Sequence, residues 1–488
     1  MFKFMESALG GKTKLILILL ITEYSLLIAQ WQPDNRLTNN SAPSEYPTIT
    51  ASGLVLHVTW RDERDGNAEI YYKRSSDGGS NWVSDTRLTN NSSVSHNPSI
   101  SALGLNVHVV WRDERDGNEE IYYKRSTDGG LNWGSDTRMT NNNEGSEDPV
   151  IISSGLNVYL VWQDSRDGNM EIYFKRSTDG GSNWGIDTRL TNNPFFSVNA
   201  SIAVSGSTIH IVWEDDRNTP GVNFEIYYKR SGNEGITWGA DVRMTNNIGY
   251  SWFSSVSASG LYAQIVWTED ENSYGEIYHK RSTDDGSNWT ANTRISSNDS
   301  MNSEYPYVIT SGTYVHLVWY DVRDGNNEIY YKRSGDYGMN WVTDTRLTIN
   351  DADSRFPNIT ISGSEVHLVW QDDRNLNDEI YYKKNPTGNP VGIENIDVKI
   401  PNEFSLSQNY PNPFNPTTNI EFNIPKTSFV KLTVYDVLGK EIAVLVNEDL
   451  IAGTYKYDWD ASEWTSGIYY YQLISGEFTG TKKMALIK

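Results

Sequence analysis

The chain has 488 residues, no cysteine and a formal net charge of −22 at pH 7. A negative charge of this size argues against a nucleic-acid backbone as partner, so we expect none. Because there is no cysteine, disulfides and thiol chemistry are excluded, and an exported chain of this composition must be held together by packing alone.

Residues 1–29 have the pattern of an export signal. Three lysines precede and border the apolar stretch Leu15–Ile21, and Ala29 fits a cleavage point. The apolar stretch is too short to cross a membrane as a helix, so we expect no membrane span in the mature chain. Cleavage after Ala29 would leave a mature chain that begins at Gln30.

Seven near-copies of a unit of about 51 residues fill the chain between residues 31 and 385. A fixed period of this size is typical of a stacked or circular array. In the first unit, alternating hydrophobicity and turn residues predict strands at 47–52, 54–61, 68–74 and near 86–89. Each second strand ends near a tryptophan, and this series is Trp60, Trp111, Trp162, Trp213, Trp267, Trp319 and Trp370.

The seventh unit lacks its fourth strand, and a matching segment lies at the other end of the chain. Residues 31–38 align with residues 82–89 position for position. We therefore expect the N-terminal strand to complete the last blade and to leave only short, protected edges. A solenoid would need polar end caps, which the sequence lacks. The predicted fold is all-β, with a seven-bladed β-propeller over residues 30–385.

A second tryptophan series ends the recurring motif Ser-x-Asp-x-Gly-x-x-Trp. Its Asp can accept hydrogen bonds from the turn's own N–H groups, and its Gly tolerates positive φ, so we expect a structural role. The motif resembles the Asp-box of the sialidase-like, or BNR-repeat, β-propellers, in which the boxes lie opposite the functional face. The box residues are Asp77, Trp82, Asp128, Trp133, Asp179, Trp184, Asn233, Trp238, Asp284, Trp289, Asp336 and Trp341.

The functional face should carry the Asp-x-Arg-x-Gly-Asn loops between the second and third strands. The structural interpretation is that Asp and Arg pair with each other or with a neighbouring blade. The functional alternative is a ring of carboxylates and guanidiniums that binds sugar hydroxyls, an anionic group or Ca²⁺. No other cofactor is expected, and no close His/Asp/Glu spacing predicts a metal site.

The resemblance to sialidases would imply a Tyr/Glu nucleophile pair, an Asp acid/base and three arginines for the substrate carboxylate. These residue types recur in equivalent copies, whereas a catalytic centre needs one acid, one base and one pose. The Arg-Ile-Pro motif of true sialidases is also absent. Catalysis of an exo-sialidase-like glycoside hydrolase is therefore the alternative hypothesis, and its candidate residues are Glu269, Glu271 and Tyr278.

Units four and five depart from the repeat. Unit four has a longer loop at 218–224, and unit five replaces the Asp/Arg pair with two glutamates. Exposed aromatics beside carboxylates can hold sugar rings or a partner's side chains. The alternative is that these aromatics fill gaps between blades. The candidate ligand-binding residues are Asp215, Arg217, Phe195, Phe196, Tyr250, Trp252, Phe253 and Tyr274.

After residue 385 the repeats stop, and Pro, Gly and Asn predict a linker at 386–402. The motifs YPNPFNPTT at 410–418, VYDVLG at 434–439 and KKMALIK at 482–488 are very similar to the type IX secretion system C-terminal sorting domain. This resemblance implies an Ig-like sandwich over residues 403–488 that the outer-membrane translocon of a Gram-negative bacterium reads. The alternative is an ordinary Ig-like binding module.

Together these patterns predict a monomeric propeller that is secreted or displayed at the cell surface. We expect it to bind glycans or another extracellular macromolecule, such as a protein, without catalysis. A sialidase-like glycoside hydrolase and a structural surface component are the two alternatives.

Overall fold

The computed structural model describes residues 31–219, 221, 223–271, 273–297, 299–386, 388, 393–397, 401–426, 428–450, 453–461 and 464–487. The predicted export signal lies outside these residues. The strands form nine four-stranded antiparallel sheets, of which seven lie between residues 35 and 385. Over the described ranges, no candidate for a membrane-crossing helix occurs.

Each of the seven blades has its strands in chain order, and the first strands contact one another around a central axis. The exception is β1 (Asn35–Arg36), which joins the last blade. Blades 1 to 3 are β2 (Ser44–Ser52), β3 (Val55–Asp62), β4 (Glu69–Ser75), β5 (Thr86–Arg87); β6 (Ser95–Leu103), β7 (Asn106–Asp113), β8 (Glu120–Ser126), β9 (Thr137–Arg138); and β10 (Ser146–Ser154), β11 (Asn157–Asp164), β12 (Glu171–Ser177), β13 (Thr188–Arg189).

The remaining blades repeat this order, with a longer second strand in blades 4 and 5. Blades 4 to 7 are β14 (Ser197–Ser205), β15 (Thr208–Thr219), β16 (Asn223–Ser231), β17 (Val242–Arg243); β18 (Ser251–Ser259), β19 (Tyr262–Glu271), β20 (Tyr274–Ser282), β21 (Thr293–Arg294); β22 (Ser303–Ser311), β23 (Tyr314–Asp321), β24 (Glu328–Ser334), β25 (Thr345–Arg346); and β26 (Ser354–Ser362), β27 (Glu365–Asp372), β28 (Glu379–Asn385).

Aromatic side chains make the core of each blade and the contact to the next. Trp60 is fully buried and stacks on Tyr71, with ring centroids 5.9 Å apart. The box residue Trp133 of blade 2 meets Tyr72 of blade 1 edge-on at 4.9 Å. Each box therefore covers the preceding blade with a large apolar surface, which stabilises the contact between blades.

Strand β1 closes the ring. It pairs antiparallel with β28, so that the sheet of blade 7 has the order β1-β28-β27-β26. Leu37 is buried after the strand, and Trp31 packs edge-on against Tyr331 at 5.1 Å, as the box tryptophans do elsewhere. The predicted seven-bladed propeller with an N-terminal closing strand is confirmed.

The C-terminal part forms two further sheets around their own apolar core, as expected for an Ig-like sandwich. Strand β29 falls within the range that the sequence predicts to be a linker, and it pairs with β34. The domain boundaries stay a prediction. The strands are β29 (Ile393–Asp397), β30 (Ser405–Leu406), β31 (Thr417–Ile424), β32 (Ser428–Tyr435), β33 (Glu441–Leu450), β34 (Gly453–Asp460), β35 (Gly467–Ser475) and β36 (Phe478–Leu486).

Buried histidines join the second and third strands. His57 Nδ1 lies 2.6 Å from the Tyr72 hydroxyl, and burial, helped by Arg74, lowers the pKa of His57 to about 4. Burial likewise lowers the pKa of His108 to about 4 and that of His367 to about 3. These imidazoles are therefore neutral in the folded protein near neutral pH.

Substitution of Asp34 tests the closure of the ring. Asp34 bonds Arg374 at 2.7 Å and Lys383 at 2.8 Å, and Asp85 in blade 1 bonds Arg64 and Lys73 at the same distances. We expect Asp34→Ala to destabilise the propeller by about 2 kcal/mol, as a lost charged hydrogen bond does. Asp85→Ala is the matched control, and thermal unfolding should show equal losses. If only Asp85→Ala reduced the thermal stability, closure of the ring by β1 would be contradicted.

The histidines predict sensitivity to acid. An unfolded histidine binds a proton below pH 6.5, whereas a buried one such as His108 resists protonation down to about pH 4. Stability should therefore fall as the pH drops from 6.5 to 4, by up to about 1.4 kcal/mol per pH unit for each histidine. His108→Gln should weaken this dependence in thermal unfolding at pH 7 and pH 5. Gln264 occupies the equivalent position in blade 5, so glutamine fits there; an unchanged pH dependence would refute the interpretation.

Candidate functional site

The first strands of all seven blades surround a central cavity of about 590 Å³. Only residues of β2, β6, β10, β14, β18, β22 and β26 line it. Cavities of about 300–1,000 Å³ are typical of sites for small ligands. The cavity is therefore the candidate functional site.

One residue near the start of each first strand forms a bulge and points to the mouth of this cavity. At these seven positions the register with the second strand is interrupted, and φ lies between 47° and 54°. Left-handed backbone costs a non-glycine residue roughly 1–2 kcal/mol, and bulges often re-aim side chains near functional sites. We call these residues the mouth ring: Tyr46, Asn97, Asp148, Asn199, Phe253, Tyr305 and Phe356.

The mouth ring is chemically two-sided. Blades 2, 3 and 4 contribute the polar arc, which consists of Asn97, Asp148 and Asn199. Blades 5, 6, 7 and 1 contribute the aromatic arc, which consists of Phe253, Tyr305, Phe356 and Tyr46. Because the backbone is equivalent in every blade, only the side chains create this difference.

The aromatic arc is a continuous wall of rings. Phe253 stacks on Tyr305 with centroids 3.6 Å apart, and Phe356 meets Tyr305 edge-on at 4.9 Å. Tyr46 lies 4.9 Å from Phe356 and is exposed. Such contacts hold the rings in place, so that the wall is preformed.

Hydrogen bonds order the polar arc. The Asn97 side chain donates to Asp148 Oδ1, and the Asn199 side chain donates to Glu214 Oε2 at 3.0 Å. Burial raises the pKa of Asp148 above its ordinary value. Asn199 remains exposed and keeps polar atoms available to solvent.

The residue after the strand-two tryptophan supports the mouth ring of the next blade. Gln163 Oε1 accepts the N–H of Asn199 at 2.9 Å, and Glu214 Oε1 accepts the N–H of Phe253 at 2.7 Å. Burial raises the pKa of Glu214 to about 7. These side chains accept hydrogen bonds from backbone N–H groups that the bulge separates from the neighbouring strand, and they thereby position the mouth ring.

Asp215 and Arg217, predicted to bind a ligand, belong to a network that recurs in other blades. Asp215 is fully buried and accepts from Trp213 Nε1 at 2.9 Å. Arg217 bonds Asp215 and, at 2.7 Å, Asp241. These internal partners favour the structural interpretation of the Asp-x-Arg loops.

The predicted aromatic residues divide into two groups. Phe253 lines the cavity; Trp252 is 6.1 Å from it between ring centroids, and Tyr250 is 5.5 Å from Trp252. Three others, Phe195, Phe196 and Tyr274, do not line the cavity, and Phe196 and Tyr274 are exposed. The structure thus joins the row 250–253 to the aromatic arc and leaves the other three outside.

Among the candidate catalytic residues, Glu269 and Tyr278 do not line the cavity. Glu269 takes the place of the network aspartate and accepts from Trp267 Nε1 at 2.8 Å. Tyr278 stacks on Trp267 at 6.0 Å, and the side chain of Glu271 lies outside the described residues. Within the described part of the chain, no group of three or more His, Asp or Glu side chains could hold a metal ion.

The box motifs lie at the other end of the blades. Asp77 accepts the Asn81 N–H at 2.8 Å and its side-chain amide at 2.7 Å, and these bonds lower the pKa of Asp77 to about 2. The N–H of Gly78 donates at 3.0 Å to Leu54 in the turn between β2 and β3. That turn is opposite the bulge of Tyr46, so the boxes and the mouth ring are at opposite faces.

Most of the mouth ring is absent from the residues that the sequence predicts. One signal in the sequence could have identified them. At this position of the repeat the residue type varies between units, although the neighbouring residues recur and a proline usually follows. Alternation alone assigns this position to an ordinary strand residue. Only the bulge shows that it turns towards the cavity.

Comparison with known proteins separates the two parts of the chain. Residues 408–488 match the family described as a secretion system C-terminal sorting domain. No curated protein matches the chain in sequence. The sorting domain predicted from the C-terminal motifs is thus confirmed, and it indicates a secreted or cell-surface protein.

Several solved structures share the fold at low identity. The polysaccharide lyase Uly1 is 10% identical with a TM-score of 0.50, and the match covers 73% of this chain and 93% of that chain. A Trypanosoma rangeli sialidase mutant is 11% identical with a TM-score of 0.45, covering 94% and 90%. The α-L-arabinofuranosidase Arb93A from Fusarium graminearum is 13% identical with a TM-score of 0.43, covering 59% and 92%.

These similarities concern the fold and leave activity open. The match to Uly1, with a TM-score of 0.50, agrees with the seven four-stranded blades. The chain therefore combines a seven-bladed β-propeller with a C-terminal region, residues 408–488, that matches the secretion system C-terminal sorting domain.

Proposed function

We propose that this protein is an exported propeller that binds glycans at the mouth ring without catalysis. The observation that carries the proposal is the cavity of about 590 Å³ with an aromatic arc on one side and a polar arc on the other. Aromatic faces pack against the C–H face of a sugar ring, and amide and carboxylate groups bond its hydroxyls. The two-sided mouth offers both contacts at once.

Export supplies the setting of this function. We propose that residues 1–29 are removed as a signal and that residues 403–488 engage the type IX translocon of a Gram-negative bacterium. The propeller at residues 30–385 then meets an extracellular glycan as a monomer, either released or held at the cell surface. The sorting domain at residues 408–488 supports this route.

The arrangement of the carboxylates favours binding over hydrolysis. Asp148 is engaged by Asn97, Glu214 holds Phe253 and Asn199, and Glu269 is outside the cavity. Most glycoside hydrolases need two carboxyl groups that flank one bond, one to donate a proton and one to attack or to activate water, whereas a sialidase would combine a Tyr/Glu nucleophile pair with an Asp acid/base. An exo-sialidase-like hydrolase is the alternative function, and a structural surface component is a second alternative.

Glycan binding can be measured on an array and then by calorimetry with the full chain. We expect Phe253→Ala to weaken binding about tenfold or more, because it removes the ring that stacks on Tyr305. Phe196→Ala is the matched control, since Phe196 is exposed but does not line the cavity. Thermal unfolding of both variants checks that the fold is retained.

Three outcomes would contradict the proposal. Loss of binding in Phe196→Ala but not in Phe253→Ala would move the site to the loop before β14. Turnover of a fluorogenic sialoside or another glycoside, abolished by Asp148→Asn or Glu269→Gln, would establish the hydrolase instead. Absence of binding to every glycan would favour the structural component.

A further inference from the structure

The charged groups around the mouth ring are predominantly acidic. Two further positions of each blade adjoin this ring: the preceding residue of the first strand and the residue after the strand-two tryptophan. Their backbones pair with each other, as Glu45 does with Arg61. Together with the ring, these positions hold the carboxyl groups Glu45, Glu147, Asp148, Glu214 and Glu304 and the guanidiniums Arg61, Arg112 and Arg355. Because burial raises the pKa of Glu214 to about 7, Glu214 is only partly ionised near neutral pH.

Each of these guanidiniums already has a carboxylate partner. Arg61 bonds both Glu45 and Glu63. Arg112 lies 3.6 Å from Glu147 and 3.7 Å from Glu114. The third, Arg355, bonds Asp353, which directly precedes the same strand, β26. An incoming anion would therefore compete with a carboxylate that is already in place.

The one histidine at these positions adds no positive charge near neutral pH. His96 precedes Asn97 on β6, and burial, helped by Arg61 and Arg112, lowers its pKa to about 4. On the acidic side, Glu304 accepts the Tyr320 hydroxyl at 2.8 Å, and no arginine among the described residues bonds Glu304 or Asp148. At the mouth, carboxyl groups therefore outnumber guanidiniums, and Asp148 and Glu304 lie next to a hydrophobic wall.

We infer that the mouth ring selects uncharged saccharides and rejects those that carry carboxylate or sulfate groups. This inference rests on the proposed function and names its ligand class. An acidic sugar in the cavity would face like charges in a partly desolvated space, where repulsion is stronger than in water. Each arginine near it already pairs with a carboxylate, whereas an unpaired arginine is the side chain best suited to hold a carboxylate or sulfate.

An uncharged pyranose ring suits both sides of the mouth. Its C–H face can lie on Phe253, Phe356 or Tyr46, whose rings are fixed by their mutual contacts. Its hydroxyls can donate to Asp148 and exchange hydrogen bonds with Asn199, which is exposed. Carboxylates accept protons from sugar hydroxyls and repel an anionic group, so they favour such a ring and disfavour an acidic one.

The test uses the full chain on an array of matched pairs, in which each neutral oligosaccharide stands beside its sialylated, uronic or sulfated derivative. We expect neutral members to bind and their acidic counterparts to bind about tenfold more weakly or not at all. Calorimetry of the best neutral oligosaccharide should give an affinity that hardly changes with salt, because no ion pair forms.

Asp148→Asn provides the residue-level test. Asparagine occupies the equivalent position in the two neighbouring blades, so the variant should fold. The variant should reduce the difference in affinity between the neutral and the acidic member of a pair, because one carboxylate has been removed. Glu477→Gln, an exposed position in the sorting domain, makes the same change in net charge and should leave this difference unchanged.

The outcomes separate this inference from the proposed function. Equal or tighter binding of the acidic members would overturn the selectivity while it supports glycan binding. If Asp148→Asn and Glu477→Gln changed the affinity difference between neutral and acidic saccharides equally, the selectivity would come from the overall charge. That result would also overturn the inference. Absence of binding to every saccharide would overturn both proposals together.

Discussion

The pairing of β1 with β28 is the contact on which the rest of the structure depends. It joins residues more than 340 positions apart and turns seven similar sheets into a ring. Only in a ring do the first strands converge on one axis and enclose a cavity. Loss of this pairing would expose an edge of blade 7 and open the space that the mouth ring borders.

The repeated contacts and the variable positions have different tasks. Trp60, Asp62 and Arg64 form a buried network that recurs with little change in other blades. Because the network secures each blade, positions at the mouth can differ without loss of the fold. Residue types as different as Asp148 and Phe253 therefore occupy equivalent backbone positions.

The fold was predictable from the sequence because large residues recur at a fixed spacing and because residues 31–38 repeat residues 82–89. The site was predictable only in part. The irregular units four and five directed attention to Phe253, which does line the cavity, and to Trp252, whose ring contacts that of Phe253. The polar arc was not predicted, because a bulge changes the direction of a side chain and cannot be recognised in an alternating sequence pattern. The spacing did predict the pairing of Asp215 with Arg217, whereas the bond from Trp213 to Asp215 depends on the folded loop.

The left-handed bulges also limit how this protein can change. Backbone with φ near 50° tolerates asparagine and aspartate, accepts aromatic residues at some cost, and strongly disfavours valine, isoleucine and threonine. New specificities can therefore arise by single exchanges within a restricted set of unbranched side chains, one blade at a time. Seven such independent places make the propeller a modular platform whose recognition can diversify while its architecture stays the same.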